Sequence, residues 1–195
     1  MDLKTLEIGC KRYKDLEGRA SFYEKALIIA KKYPLQASII LLATWNTARF
    51  RFMSSNAKNL LELEKSLNQC KSLFDKLSNY DIKNVDLDET KPTIARIYTS
   101  LSKVKGVEYT GGSKVMSLIN PKLFVMWDDK IRKHYKINRK DAEAYIKFLF
   151  LMQNEVKDIN WNNKTKTLAK AIDEYNYINF TWSELKNRKN RSNHS

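Results

Sequence analysis

Apolar residues recur at spacings of three and four along most of the chain. Phe22, Ala26, Ile29 and Ala30 fall on one face of a segment that Pro34 should end. Leu35 to about Asn46 is almost wholly apolar, the pattern of a buried helix. Leu60, Leu61, Leu63, Leu67, Leu73 and Leu77 punctuate a Lys- and Glu-rich stretch from Asn56 to Tyr80, which predicts a long amphipathic helix. Pro92 stands where a first helical position would be, followed by Ile94, Ile97, Tyr98, Leu101 and Val104. After a break at Lys105–Tyr109, a further helix should run from Thr110 to about Asn120, closed by Pro121. Asp141–Asp158 and Thr165–Asn176 carry helical spacing as well.

Period-two alternation is weak, and 5 Gly and 3 Pro are too few for a turn-rich β fold. The expectation is an all-α, compact two-lobed fold. Residues 1–185 should form one helical unit, with a helix–hairpin–helix over about 94–120. Residues 186–195 hold four cations and no acid and read as a basic tail.

The net charge of +14 changes the picture from fold to partner. Such an excess attracts a polyanion through counterion release, although a solvated cationic surface would show the same number. Cys10 and Cys70 are too far apart to suggest a disulfide framework or a zinc knuckle, and no four-cysteine group could hold an iron–sulfur cluster. His134 and His194 are too distant in sequence to suggest a metal pair, so no metal centre is expected. The apolar runs Ile39–Ala43 and Phe148–Met152 are too short to span a bilayer, and the N-terminus opens charged. These features predict an intracellular protein, cytoplasmic or nucleoid-associated, monomeric and without a membrane partner.

The break Val104-Lys105-Gly106-Val107-Glu108 lies between two apolar helices. A hairpin of this kind offers backbone amides and a helix start to a phosphate, with glycine permitting close approach. Gly106 supplies one such position, while Gly111 and Gly112 allow close packing at the start of the second helix. Residues 100–140 hold ten Lys/Arg against three acids, Glu108, Asp128 and Asp129. Lys103, Lys105, Tyr109, Lys114, Lys130 and Arg132 are the candidate DNA contacts. A tight corner between two helices with a solvated cationic face would show the same pattern.

Further on, Phe124-Val125-Met126-Trp127 runs into the adjacent acids Asp128 and Asp129. With the hairpin, this segment resembles the helix–hairpin–helix DNA glycosylase superfamily, the endonuclease III-like group. That family's hairpin reads Leu-Pro-Gly-Val-Gly, and its aspartate follows a short apolar run before a pattern Asp-Thr-His-Val-x-Arg. Asp128, ahead of Asp129-Lys130-Ile131-Arg132, falls on the family's aspartate without a gap. Pro34 to Asn46 is similar to the family's Pro-Phe-x-x-Leu…Leu-Ser-x-Gln segment, with Asn46 at the position of a glutamine that fills the gap left by an extruded base. The two matches cover about a fifth of the chain.

The resemblance implies excision of a damaged or mismatched base from double-stranded DNA, with Asp128 as catalytic carboxylate. Extruding the base is needed because the glycosidic bond is inaccessible in a stacked duplex. Asp128 would stabilise the charge gained by the sugar as the bond breaks, or activate water. Trp45, Asn46, Thr110 and Trp127 are the expected base-pocket residues. Thr110 takes the place of the Schiff-base lysine of bifunctional relatives, so monofunctional chemistry without strand cleavage is expected. Glu108 replaces the second hairpin glycine. No cofactor is expected, although the resemblance would place a monovalent cation at the hairpin.

Other readings stand beside these. Asp128 would equally serve as a helix N-cap, Asp129 as a first-turn acid or partner of Lys133, and Trp127 as core filling. Lys114, one turn beyond Thr110 on the same face, reads as a phosphate contact or a solvent-exposed cation rather than a group reaching inward. A non-catalytic helix–hairpin–helix DNA-binding protein is the principal alternative, and a helical RNA- or protein-binding domain a more distant one.

Overall fold

The structure is a computed structural model that describes residues 1–183, so the basic tail expected at 186–195 lies outside the described residues. These residues form ten α-helices and one π-helix, with no strand among them. The all-α expectation holds.

The first three helices are α1 (Leu3–Leu16), α2 (Ala20–Ala30) and α3 (Pro34–Trp45). Next come α4 (Thr47–Ser54), α5 (Ala57–Lys76) and α6 (Leu87–Ser102). After the hairpin stand α7 (Glu108–Ile119), α8 (Asp129–His134) and α9 (Ala142–Val156). The chain then forms α10 (Leu168–Asn176), which passes directly into the π-helix Tyr177–Trp182.

Side-chain caps start many of these helices. Asp2, Asn56, Asp86, Asp128, Asp141 and Thr167 each accept a backbone N–H of the first turn, satisfying donors that have no intrahelical partner. Pro34 stands at the start of α3 rather than merely ending α2, where its missing N–H costs nothing. Pro92 departs from expectation. It lies inside α6, because Asp86 caps the helix five residues before the proline-based start. The carbonyl left without a donor is that of Asp88, an exposed residue of the first turn that water can reach.

Helix α6 is the central element, packed on α5, α7 and α9. Its buried residues Ile94, Ile97, Tyr98 and Leu101 join Leu63, Leu67 and Phe74 of α5 and Tyr145, Phe148 and Leu149 of α9 in the main apolar cluster. A smaller cluster, Tyr23, Ala26, Ala37, Leu41, Leu118 and Met126, lies where α2 and α3 meet the end of α7. The first and last helices meet as well: α1 packs on α10 and on the π-helix. Gly9 permits this contact, since a Cβ there would stand 3.0–3.1 Å from Tyr175.

Candidate functional site: a pocket shared by Lys114 and Asp128

Residues 124–127 run through the core without regular structure, and all four are buried. The Tyr145 hydroxyl donates to the Val125 carbonyl, and the Trp127 amide donates to Ser113 Oγ on α7. This anchored run delivers Asp128 to the start of α8. Asp128 Oδ1 accepts the amides of Lys130 and Ile131 at 2.8 and 3.0 Å, a full N-cap. Oδ2 accepts a hydrogen bond from Thr181 Oγ1 at 2.7 Å. Thr181 belongs to the π-helix, which packs on α8. Such turns of wide pitch often re-aim side chains at functional sites.

Asp128 therefore fills the capping role and also faces a cavity. A pocket of about 190 Å³ is lined by residues of α1, α2, α3, α4, α7, α8, α10 and the π-helix, with Asp128 and Lys114 both in its wall. That volume lies below the roughly 300–1,000 Å³ of clefts for drug-sized ligands, and suits a single planar ring better than a whole nucleotide.

Lys114 was expected as a phosphate contact on the outer face. It instead reaches inward, where its Nζ donates to the Trp45 carbonyl at the end of α3. Protein atoms surround the ammonium, yet the residue keeps partial exposure because it faces the cavity. Burial lowers its pKa from the ordinary lysine value to about 8, against the opposing attraction of Asp128 and Asp173. About a tenth of its amine is thus unprotonated at pH 7, rising to about half at pH 8.

Trp45 lies in the same wall, beneath the Arg19 guanidinium at 5.5 Å from the ring centroid. Arg19 is fixed by a two-point pair to Glu17, at 2.7 and 2.8 Å, and by a bond to the Thr44 carbonyl. Trp127 contributes to the pocket wall, but its ring is held among Tyr98, Tyr145 and Phe148 and is fully buried, so it fills core. Asn46 and Thr110 lie outside the lining. The Asn46 amide donates to the carbonyls of Gly106 and Val107, tying α3 to the hairpin. Those carbonyls face an amide donor rather than converging on a cation, so the residues present do not fit the monovalent ion that the resemblance implies.

In the hairpin, Gly106 has φ +93° and Glu108 φ +54°. Gly106 is buried against α4: a Cβ there would stand 2.9 Å from both the Cβ and the backbone N of Met53. The missing side chain makes room for α4 to pack against the hairpin. Gly111 and Gly112 pack as expected, against Asn46 and Leu42 and against Ser102. Glu108 pairs with Arg49 at 3.1 Å, which offsets its charge. Its left-handed backbone is strained for a side-chain-bearing residue.

Arg132 was expected to contact DNA but is buried. Its guanidinium donates to the carbonyls of Ile137, Asn138 and Arg139 and to Asp129, closing the loop after α8. Asp129 is a first-turn acid paired with Arg132 and Lys140, not with Lys133, and accepts the Tyr109 hydroxyl. That bond and the Lys140 ammonium 4.5 Å over its ring engage Tyr109 within the fold. Lys130, partly buried, follows directly after.

The exposed cations at the hairpin are Lys103 and Lys105, joined by Arg49 and Arg51 of α4. Lys105 and Arg51 flank the Phe52 ring at 5.6 and 4.9 Å. The run Arg49-Phe50-Arg51-Phe52, cations alternating with aromatics, was a readable signal for this surface. The pocket residues Arg19, Tyr23, Lys170, Asp173 and Thr181 had no such signal, since they are scattered across the chain.

No helix among the described residues is long and apolar enough to cross a membrane, and no group of three or more His, Cys, Asp or Glu residues there is arranged to hold a metal ion. Compared with known protein families, with characterised proteins and with solved structures, the chain matches none.

Proposed function

We propose that this protein excises a base from DNA, with Asp128 and Lys114 acting together on the sugar of an extruded nucleotide. The observation that carries the reading is the pairing of a partly unprotonated amine and a carboxylate on one ring-sized pocket. The cationic hairpin face of Lys103, Lys105, Arg49 and Arg51, and the positive φ at both hairpin positions where the resembled family carries glycine, support DNA as the substrate.

In this reading the Lys114 amine attacks the anomeric carbon, and the base leaves with the bonding electrons of the glycosidic bond and takes up a proton. Asp128 stabilises the positive charge that the sugar gains, and accepts the proton that the amine gives up. Ring opening then gives an imine between Lys114 and the sugar, from which β-elimination cleaves the strand. Thr110 is not needed for this chemistry. The amine comes from one helical turn further along α7, which replaces the expected monofunctional outcome with strand cleavage.

Borohydride reduction during incubation with lesion-bearing duplexes should leave a covalent protein–DNA adduct. Lys114→Gln should abolish the adduct, and Asp128→Asn should reduce its formation by at least a hundredfold. Released base and intact abasic strands from the Lys114→Gln protein would return the chemistry to the monofunctional scheme. No base release from any lesion, with duplex binding preserved in Asp128→Asn, would favour the non-catalytic DNA-binding alternative. The hydrogen bonds already accepted by both Asp128 oxygens are the feature that speaks for that alternative.

A further inference from the structure

The deep end of the pocket is polar in a way that the excision chemistry does not use. Lys170 and Asp173 of α10 pair at 2.6 Å, and both are nine-tenths buried. The Lys170 ammonium lies 4.3 Å from the centroid of the Tyr23 ring and 4.9 Å from that of Tyr13. Burial alone would discharge this lysine, but Asp173 and the surrounding groups outweigh it and hold its pKa above the ordinary value. Lys170 is therefore a permanent donor. Asp173 uses Oδ2 for the pair, and its Oδ1 accepts no hydrogen bond among the described residues. The Tyr23 hydroxyl is buried without a hydrogen-bond partner among the described residues, the Ser117 hydroxyl standing near without completing a bond. All three side chains line the pocket that holds Lys114 and Asp128.

A buried hydroxyl and a carboxylate oxygen left open in one cavity are unsatisfied until something fills it. Asp173 offers an acceptor, and Lys170 and Tyr23 offer donors beside it. Their complement is a ring N–H adjacent to a carbonyl. A cationic ring is disfavoured for two reasons. The electron-rich faces of Tyr13 and Tyr23, which would attract it, already carry the Lys170 ammonium. Arg19, Lys114 and Lys170 outnumber the carboxylates Asp128 and Asp173 around the same space.

We propose that Lys170, Asp173 and the Tyr23 hydroxyl read the edge of an uncharged base bearing a ring N–H beside a carbonyl, as oxidised and deaminated bases do, and reject alkylated bases carrying a positive charge. This rests on the base-excision reading above and names the base edge read in the same pocket; guanine and thymine share that edge, and the lower cost of extruding a damaged or mismatched base separates the lesions from them.

The test is equilibrium binding by the Asp128→Asn protein, which slows turnover by at least a hundredfold, to duplexes differing at one position. Hypoxanthine, uracil and 8-oxoguanine carry the edge. Ethenoadenine is neutral without it, and N7-methylguanine carries the charge. At least one of the first three should bind about tenfold more tightly than either of the last two. Tyr23→Phe in the same background, checked for unchanged thermal unfolding, should bring that ratio close to one. Equal or tighter binding of ethenoadenine or N7-methylguanine, or selectivity that survives Tyr23→Phe, overturns the proposal. Because the readout is binding, selective affinity without base release in the wild-type protein would overturn the excision reading alone. Base release without this selectivity would overturn the lesion class alone.

Discussion

Lys114 is held in a state that the fold disfavours. Its amine has a pKa of about 8 in the folded chain, against the ordinary lysine value when unfolded. Between those two values the unfolded chain binds the extra proton, so stability should rise with pH from about 8 upward, and the penalty is complete below 8. Lys114→Met, which keeps length and removes charge, should therefore stabilise the protein at pH 7 by on the order of 2–3 kcal/mol, allowing for pocket water. The gain should shrink as pH approaches 10, measured by denaturant unfolding across the pH range. A gain in stability joined to loss of imine trapping would mark a residue kept for chemistry. Sequence reasoning placed Lys114 on the correct helical face but sent it outward, because lysines are so seldom buried. What decides the matter is the Trp45 carbonyl, 69 positions earlier in the chain, which receives its Nζ.

Among the elements, α8 is short and depends on its cap. Asn is as good a capping residue as Asp, whereas Ala offers no acceptor. Asp128→Asn should change stability little, while Asp128→Ala should cost about 1 kcal/mol more, read as the difference in chemical unfolding midpoints. Capping and catalysis can thus be separated by comparing the two variants. The hairpin makes a different demand. Gly106 has positive φ and no room for a methyl group beside Met53, so Gly106→Ala should destabilise by about 1–3 kcal/mol through strain and displaced packing. Thermal unfolding would register it, and weaker duplex binding should accompany it. These local features were legible in the sequence: glycine between apolar helices, aspartate before a short cationic helix, proline at α3. Pro92 misled because the stronger start signal was Asp86, whose carboxylate caps the turn.

For the molecule as a whole, the net charge of +14 and the Arg49–Lys105 surface predict binding governed by salt. Affinity for undamaged duplex should fall linearly on a log–log plot of association constant against salt. Arg51→Ala should lower the slope by about one unit and weaken binding to all sequences alike, as fluorescence anisotropy would show. The all-α architecture could be read from periodicity because helix formation is local. The pocket could not, because its wall is assembled from α1, α2, α3, α4, α7, α8, α10 and the π-helix, with lining residues as far apart as Tyr13 and Thr181. Only the Lys114–Ile131 and Leu41–Trp45 parts of it lie within segments where a motif could be recognised.

The contact of α1 with α10 and the π-helix has a consequence for synthesis. A growing chain emerges from its N-terminus, so residues 1–119 can complete the cationic hairpin while the Thr181 that holds Asp128 has yet to be made. Through that interval the nascent protein would own its cationic face and no finished cavity. The order of translation thus separates the proposed attachment from the proposed chemistry, because the π-helix that closes the pocket is made after the hairpin.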